Sequence, residues 1–199
     1  MMVSIRKGLP AAQHPAAARL YWEAFGAKLG TVMGPDDRAL AYLARVIRAD
    51  HCFTAQSADG TLLGIAGFKS PLGSFAGGGP ADLRVIYGRF GAYWRSLVLE
   101  ALLDDVDNRR FLIDGIAVTH AARGQGIGTA LVAALCAEGR ARGYPEIRLE
   151  VIDSNWRARA LYKRLGFVAT HTARLGLLRP FFGFTAAITM VRPLTEADA

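Results

Sequence analysis

The chain is poor in the residues that many specialised sites need. Cysteine occurs only at Cys52 and Cys136 among 199 residues, and the two stand far apart. Two buried reduced thiols are the simplest interpretation, and a disulfide, a metal site or a nucleophile are the alternatives. The four histidines are scattered without ligand spacing. We therefore predict no metal site.

Long apolar runs are also missing. No segment approaches the ~18–20 apolar residues that cross a membrane, and no uninterrupted apolar stretch follows the basic N-terminal residues. We therefore expect a cytoplasmic protein without a membrane partner. With 52% hydrophobic and 21% charged residues, the chain is long enough to bury a core of its own, so we expect a single domain over residues 1–199.

The net charge of +7 raises the question of nucleic-acid binding. The chain contains no recognised nucleic-acid motif, and its basic residues do not alternate regularly with stacking aromatics. Much of the excess lies around the two motifs described below, where it suits a small ligand with phosphates or a solvated surface. We expect no nucleic-acid partner.

The most informative segment is Arg123-Gly-Gln-Gly-Ile-Gly128, which stands between an apolar strand candidate and a helix-like run. Its alternate glycines expose backbone N–H groups where the helix begins, and such a terminus suits a phosphate. The dinucleotide fingerprint would need glycine in place of Thr129. The Walker-type loop would need a lysine, and none lies between Lys69 and Lys163. Both fingerprints are excluded.

A second motif follows downstream in a defined order. Ile147–Ile152 alternates like a strand, Asn155 is a candidate helix cap, and Gly166 stands where a left-handed helix end is expected. The short helix between them carries Tyr162. Together the two motifs, over about 111–170, resemble the acetyl-CoA site of the GNAT N-acetyltransferase family.

The resemblance implies a fold, an activity and a set of cosubstrate contacts. The fold is α/β, with a mixed, mostly antiparallel sheet of about six to seven strands that is flanked by helices and splayed between its central strands. The activity is transfer of an acetyl group from acetyl-CoA to a primary amine of a small molecule or peptide. The residues that match the cosubstrate contacts are Ile116, Ala117, Val118, Arg123, Gly124, Gln125, Gly126, Ile127, Gly128, Thr129 and Asn155.

These contacts divide into two groups. The loop residues are expected to hold the pyrophosphate mainly through backbone N–H groups. Ile116–Val118 are expected to pair with the pantetheine arm like an added strand. Asn155 either bonds that arm or caps its own helix.

The resemblance also supplies candidate catalytic residues. Tyr162 matches the tyrosine that stands beside the CoA sulfur in many members, so it is the candidate general acid, with a core-edge tyrosine as the alternative. Asp114 is the candidate base, with a strand-end aspartate as the alternative, and Glu150 on the next strand is the reserve candidate. A non-catalytic acyl-CoA sensor remains the second functional interpretation, since it requires neither group. The acceptor, the acyl chain length and a homodimer stay open.

The rest of the chain predicts further elements around this core. Before the motifs we predict a strand over 3–7, helices over 14–30 and 35–48, and a hairpin of 51–56 with 62–69; after them, strands over 167–173 and 182–191. An elaboration at about 70–105 combines an insertion or mobile loop (70–80) with a helix (82–105). Its aromatics either line an acceptor pocket or pack in the core: Tyr87, Phe90, Tyr93 and Trp94. A cationic acceptor would suit the aspartates Asp82, Asp104, Asp105, Asp107 and Asp114.

Overall fold

The computed structural model describes residues 3–102, 110–176 and 183–194. Within them, one mixed sheet has the strand order β1-β2-β3-β5-β6-β8-β7, and the short β4 pairs with β3. The strands are β1 (Val3–Lys7), β2 (Cys52–Ser57), β3 (Leu62–Ser70), β4 (Gly73–Ser74), β5 (Arg110–Val118), β6 (Glu146–Ile152), β7 (Val168–Arg174) and β8 (Ala186–Pro193). The central neighbours β5 and β6 run parallel, whereas the pairs on either side of them are antiparallel.

Helices cover both faces of this sheet. They are α1 (His14–Met33), α2 (Asp36–Val46), α3 (Pro80–Leu102), α4 (Ile127–Ala141) and α5 (Trp156–Arg164). On α4, residues spaced four apart are buried against the sheet: Ile127, Leu131 and Leu135. A fully buried side chain of this kind contributes about 1.5–3 kcal/mol. On the opposite face, Tyr21 of α1 packs with Ile65 of β3.

The predicted fold class is confirmed, with one strand more than the expected six to seven. The additional strand is β4, which lies inside the stretch predicted to be a mobile loop, and that prediction was wrong for this part of it. Gly73 pairs with Ser70, and Phe75 is fully buried. The glycines serve packing here, because a Cβ added at Gly78 would overlap Tyr42.

The long helix α3 is kinked rather than continuous. Gly88 has a φ of 70°, a left-handed value that breaks the helical path. Tyr87 on the near side of the kink is buried and donates its hydroxyl to the Met33 carbonyl. Phe90 on the far side is 94% exposed. The aromatics of α3 therefore do not form one cluster, and core packing holds for Tyr87 alone among the four.

Other boundaries shift by a few residues. Helix α1 continues past Gly30 to Met33, and α2 is shorter than predicted at both ends. Cys52 and Cys136 are buried and form no disulfide, as the simplest interpretation had it. The predicted helix end at 103–105 and the predicted strand start at 182 lie outside the described residues. So do Asp104, Asp105 and Asp107.

Candidate active site

The glycine loop leads directly into α4 and leaves the start of that helix open. Gly124 and Gly126 have φ values of 77° and 80°, which favour glycine. The first helical donor is the N–H of Ala130, which bonds the Gly126 carbonyl at 3.0 Å. By helix geometry the amides of residues 127–129 precede it and point out of the helix end. A Cβ at Gly124 or Gly126 would meet nothing within 4 Å, so the space around the loop is open as well.

Side chains of the loop fold back on the loop itself. Arg123 donates from Nε to the Val118 carbonyl at 3.2 Å, and Gln125 donates from Nε2 to the Ala121 carbonyl at 3.2 Å. Both residues are exposed. The loop conformation is thus held by these two contacts, while the backbone amides at the start of α4 face outward. Such a terminus favours an anion.

Gly128 has a packing role that the sequence did not indicate. A Cβ at this position would lie 3.3 Å from Cδ2 of Leu161 on α5. The lack of a side chain therefore lets α4 and α5 approach each other closely. Because α5 carries Tyr162, this approach also sets how far that tyrosine stands from the glycine loop.

The predicted splay between the central strands is present. Strands β5 and β6 pair only over Arg110–Leu112 and Glu146–Arg148, and among the described residues no ladder pair continues beyond them. From Ile113 onward the edge of β5 that faces β6 therefore lacks strand partners. From Leu149 onward, the edge of β6 that faces β5 likewise lacks strand partners within the described part of the chain. An extended ligand with amide groups could take the place of a strand there.

A β-bulge places Asp114. Gly67 of β3 pairs with Gly115, and Phe68 pairs with Ile113, so Asp114 is the extra residue on β5. The side-chain alternation shifts by one across it. The β5 residues that pack into the α4-side core are accordingly Phe111 and Ile113 before the bulge and Ile116 and Val118 after it. Asp114 faces the α1 side of the sheet, where Tyr21 lies.

The Asp114 carboxylate is enclosed and has defined partners. Its side chain is 9% exposed, Oδ2 accepts a hydrogen bond from the Ala76 N–H at 3.0 Å, and Oδ1 lies 3.9 Å from Nζ of Lys69. Burial and the nearby carboxylate raise the pKa of Tyr21 well above its usual value. The strand-end alternative for Asp114 is therefore wrong, because the residue lies within β5 and its side chain is largely enclosed.

Two cavities meet at Asp114. The first, which we call the splay cavity, encloses about 220 Å³ between β5, β6, α1 and α5. It brings together sequence-predicted residues from β5, from β6 and from α5 with its cap, namely Asp114, Ile116, Glu150, Asn155 and Tyr162. The second, which we call the helical cleft, encloses about 710 Å³ between α1, α2, α3 and residues 70–80. Both are lined by Tyr21, Leu29, Lys69 and Asp114.

Tyr162 reaches the splay cavity from α5. Its ring packs against Phe167 with 5.8 Å between the centroids, and the residue is 9% exposed. Burial raises the pKa of Tyr162 to about 12. The phenol therefore keeps its proton throughout the physiological range and is available as a donor.

Two further predicted residues of the splay cavity, Glu150 and Asn155, are already engaged. Glu150 is one-third exposed, and its Oε1 accepts from Nη2 of Arg148 at 3.1 Å. Asn155 caps α5, since its Oδ1 accepts from the Ala158 N–H at 3.2 Å. The cap prediction for Asn155 is confirmed.

Some residues predicted near the acceptor lie outside the helical cleft, and some features of the site were not predicted. Among the described residues, the contacts of α3 with the helical cleft are Pro80, Leu83, Ser96 and Leu99, and its four aromatics are not among them. Asp82 lies outside the cleft lining and pairs with Arg45 at 2.9 Å. Sequence reasoning missed Lys69 and the bulge. The pair Asp114-Gly115 inside a strand was the available signal for the bulge, because glycine in a strand often marks one.

Within the part of the chain that the structure describes, no three histidine, cysteine or acidic side chains gather closely enough to hold a metal ion. The described helices are also too short or too polar to span a bilayer.

Comparison with known proteins identifies relatives of this arrangement. The profile of the acetyltransferase (GNAT) family matches residues 14–167. No curated protein matches the chain significantly in sequence. Among solved structures, Ard1 from Thermoplasma volcanium is 18% identical, with a TM-score of 0.64 over 98% of this chain and 100% of its own. The ribosomal-protein-S18-alanine N-acetyltransferase from Escherichia coli is 21% identical, with a TM-score of 0.59 over 98% and 96%. An N-acetyltransferase from Staphylococcus aureus Mu50 is 18% identical, with a TM-score of 0.63 over 94% and 99%. At these identities the likeness shows a shared fold.

Proposed function

Because the chain belongs to the acetyltransferase (GNAT) family, we propose that it transfers the acetyl group of acetyl-CoA to a primary amine held in the helical cleft. The observation that carries this proposal is the junction of the two cavities at Asp114. A carboxylate at that junction lies between the space that opens beside the splayed strands and the space enclosed by the helices. An amine and a thioester entering from opposite sides would meet there.

The residues present fit an anionic cosubstrate with an extended amide arm. The outward amides of residues 127–129, with the left-handed Gly124 and Gly126, suit the pyrophosphate. The edge of β5 over Ile116–Val118 would bond the arm as an added strand would. When bound, acetyl-CoA supplies an acetyl group activated as a thioester.

Asp114 is the proposed base. It would accept the proton that the amine loses as nitrogen bonds to the acetyl carbon. The Ala76 N–H fixes one carboxylate oxygen and leaves the other directed toward Lys69 and the cavities. Glu150 is a weaker candidate, because Arg148 already occupies its carboxylate.

Tyr162 is the proposed acid. Its phenol would donate a hydrogen bond to the sulfur that departs as the carbon–sulfur bond breaks. With a pKa raised to about 12, the phenol is less acidic than a thiol of pKa ~8.5. Stabilisation of the thiolate by hydrogen bonding is therefore favoured over complete proton transfer from Tyr162.

The test compares two carboxylates of the same cavity. Asp114→Asn preserves size and the contact with Ala76 but removes the base, so kcat should fall by about 10²–10⁴. Glu150→Gln is the matched control and should lower kcat by less than about tenfold, since its carboxylate is not the base in this scheme. Release of CoA thiol with a panel of primary amines measures both.

Calorimetry with acetyl-CoA separates catalysis from binding. Both variants should bind acetyl-CoA as the wild type does. If the wild type binds acetyl-CoA but releases no thiol with any amine, the protein is a sensor and the transferase proposal is wrong. If Glu150→Gln is the variant that loses turnover, the base has been assigned to the wrong strand.

A further inference from the structure

The helical cleft is mostly apolar. Three helices and the segment around β4 contribute its walls, and the large side chains among them include Tyr21, Trp22, Met33, Tyr42, Leu43 and Leu83. A volume of about 710 Å³ is in the range that encloses a small organic molecule. An acceptor that fills this space must bury apolar surface there.

Charged side chains in the cleft are few and of opposite sign. Among the described lining residues, the acidic and basic side chains are Asp114 and Lys69. An acceptor with several cationic groups would therefore have one carboxylate to share and would face the Lys69 ammonium. A polyamine or an aminoglycoside does not suit this lining.

Lys69 lies in an unusual position for a lysine. Phe68, its neighbour on β3, is buried in the α4-side core, so Lys69 points to the α1 side with Asp114. Its side chain is only 18% exposed, and within the described residues its one anionic neighbour, Asp114 Oδ1, lies 3.9 Å away. That separation is beyond hydrogen-bond distance. An anion closer to Lys69 would accept a hydrogen bond from its ammonium group and stabilise this enclosed charge.

We propose that the acceptor is a free α-amino acid with a large apolar side chain. Its carboxylate is bound by Lys69, its α-amine is directed to Asp114, and its side chain occupies the apolar helical cleft. The ammonium and the carboxylate of an α-amino acid are attached to the same carbon. Their complements in the protein, Asp114 and Lys69, are likewise close together, at 3.9 Å. A peptide N-terminus would bring an uncharged carbonyl to Lys69 instead. This inference rests on the proposed acetyl transfer.

The reaction balances with the groups already named. Nitrogen of the α-amine bonds to the acetyl carbon as the carbon–sulfur bond breaks, and the electron pair of that bond leaves with sulfur. The amine proton goes to Asp114, and the thiolate is stabilised by Tyr162 until it is protonated by solvent. The products are an N-acetyl amino acid and CoA.

The experiment compares an amino acid with two analogues that lack the charged carboxylate. Thiol release from acetyl-CoA is measured with L-phenylalanine, L-phenylalaninamide and phenethylamine. The wild type should use L-phenylalanine with a kcat/KM about tenfold to a hundredfold above the other two, as expected for one hydrogen bond between charged groups. L-leucine and L-methionine should be used, whereas L-glutamate and L-lysine should not.

The Lys69→Met variant tests the residue itself. It should lose the advantage of L-phenylalanine over phenethylamine, because the carboxylate contact is removed, whereas any effect on Asp114, which lies 3.9 Å from Lys69, acts on both substrates alike. The ratio of kcat/KM for L-phenylalanine to kcat/KM for phenethylamine is determined in each protein and compared between proteins. This comparison cancels differences in amine reactivity and any general loss of activity. Lys7→Met, the same substitution on exposed β1, should leave the ratio at its wild-type value. Lys69→Gln repeats the test if the methionine variant does not fold.

The outcomes separate the inference from the function beneath it. If phenethylamine or L-phenylalaninamide matches L-phenylalanine, or if Lys69→Met weakens both substrates equally, the acceptor assignment is wrong while acetyl transfer stands. If the protein binds acetyl-CoA in calorimetry and acetylates no amine, both proposals fail.

Discussion

Replacing Tyr162 by phenylalanine removes one hydroxyl from the splay cavity and keeps the ring that packs on Phe167. No cavity is created in the apolar core, so the fold should persist. What is lost is the donor proposed to face the departing sulfur. A hydrogen bond to a charged group contributes about 1.5–3 kcal/mol. We therefore expect kcat to fall by about tenfold to a hundredfold.

The effect should be confined to turnover. The hydroxyl is proposed to act only as charge develops on sulfur, so the calorimetric affinity for acetyl-CoA should stay unchanged. Equal losses in kcat and in acetyl-CoA affinity would point to a ground-state contact instead. Wild-type turnover in the variant would remove Tyr162 from the mechanism.

The same variant tests the raised pKa through stability. The folded protein holds the Tyr162 proton more tightly than the unfolded chain, whose tyrosine pKa is about 10. The stabilisation is fully present below pH 10 and is lost as the pH rises through about 12. Two pKa units correspond to about 3 kcal/mol, of which about 1 kcal/mol is lost at pH 11.

Urea unfolding at pH 9 and pH 11 measures this difference. The free energy of unfolding should fall by about 1 kcal/mol more in the wild type than in Tyr162→Phe, because the phenylalanine cannot titrate. The other buried tyrosines contribute equally to both proteins and cancel. If the free energy of unfolding changes equally with pH in both proteins, burial does not raise the pKa of Tyr162 and this argument is wrong.

Two further predictions concern glycines. Gly126→Val forces a branched residue into a φ of 80° beside the open helix end and should abolish acetyl-CoA binding in calorimetry; Gly143→Val imposes the same strain at φ 77° beyond the other end of α4 and should leave binding intact. Loss of binding in both variants would mean that strain rather than ligand access is responsible. Gly115→Ala would bring a Cβ to 2.8 Å from Phe25 Cζ and should lower the unfolding free energy by about 1–3 kcal/mol, whereas Gly30→Ala meets nothing within 4 Å and should raise it by about 0.5–1 kcal/mol. Equal effects in urea unfolding would contradict the close packing of α1 on β5.

The parts of the fold that the sequence predicts are those whose signals are local. The glycine loop before α4, the Asn155 cap and the left-handed Gly166 each depend on neighbours within a few positions, and all three are present. A cap or a positive φ is fixed by the residue's own chemistry, so no knowledge of the rest of the chain is required.

The parts that failed depend on distant partners. Residues 70–80 look flexible by composition, yet Phe75 is buried because β3 and α1 supply its surroundings. The enclosed position of Asp114 arises from register with β3, and its hydrogen bond comes from Ala76. Lys69 is a candidate ligand only because the pairing of β3 with β5 brings it close to Asp114. None of these relations is encoded in a short window of sequence.

The short pairing of β5 with β6 divides the sheet into two halves. One half-sheet, β1-β2-β3-β5, carries Asp114 and leads into the glycine loop, and the other, β6-β8-β7, carries Glu150 and, through α5, Tyr162. Three residue pairs and the 2.8 Å ion pair of Arg110 with Glu146 form the seam between them. The proposed base and acid thus lie on different halves of the sheet, and the spacing between them is maintained by the core that both halves share beneath α4.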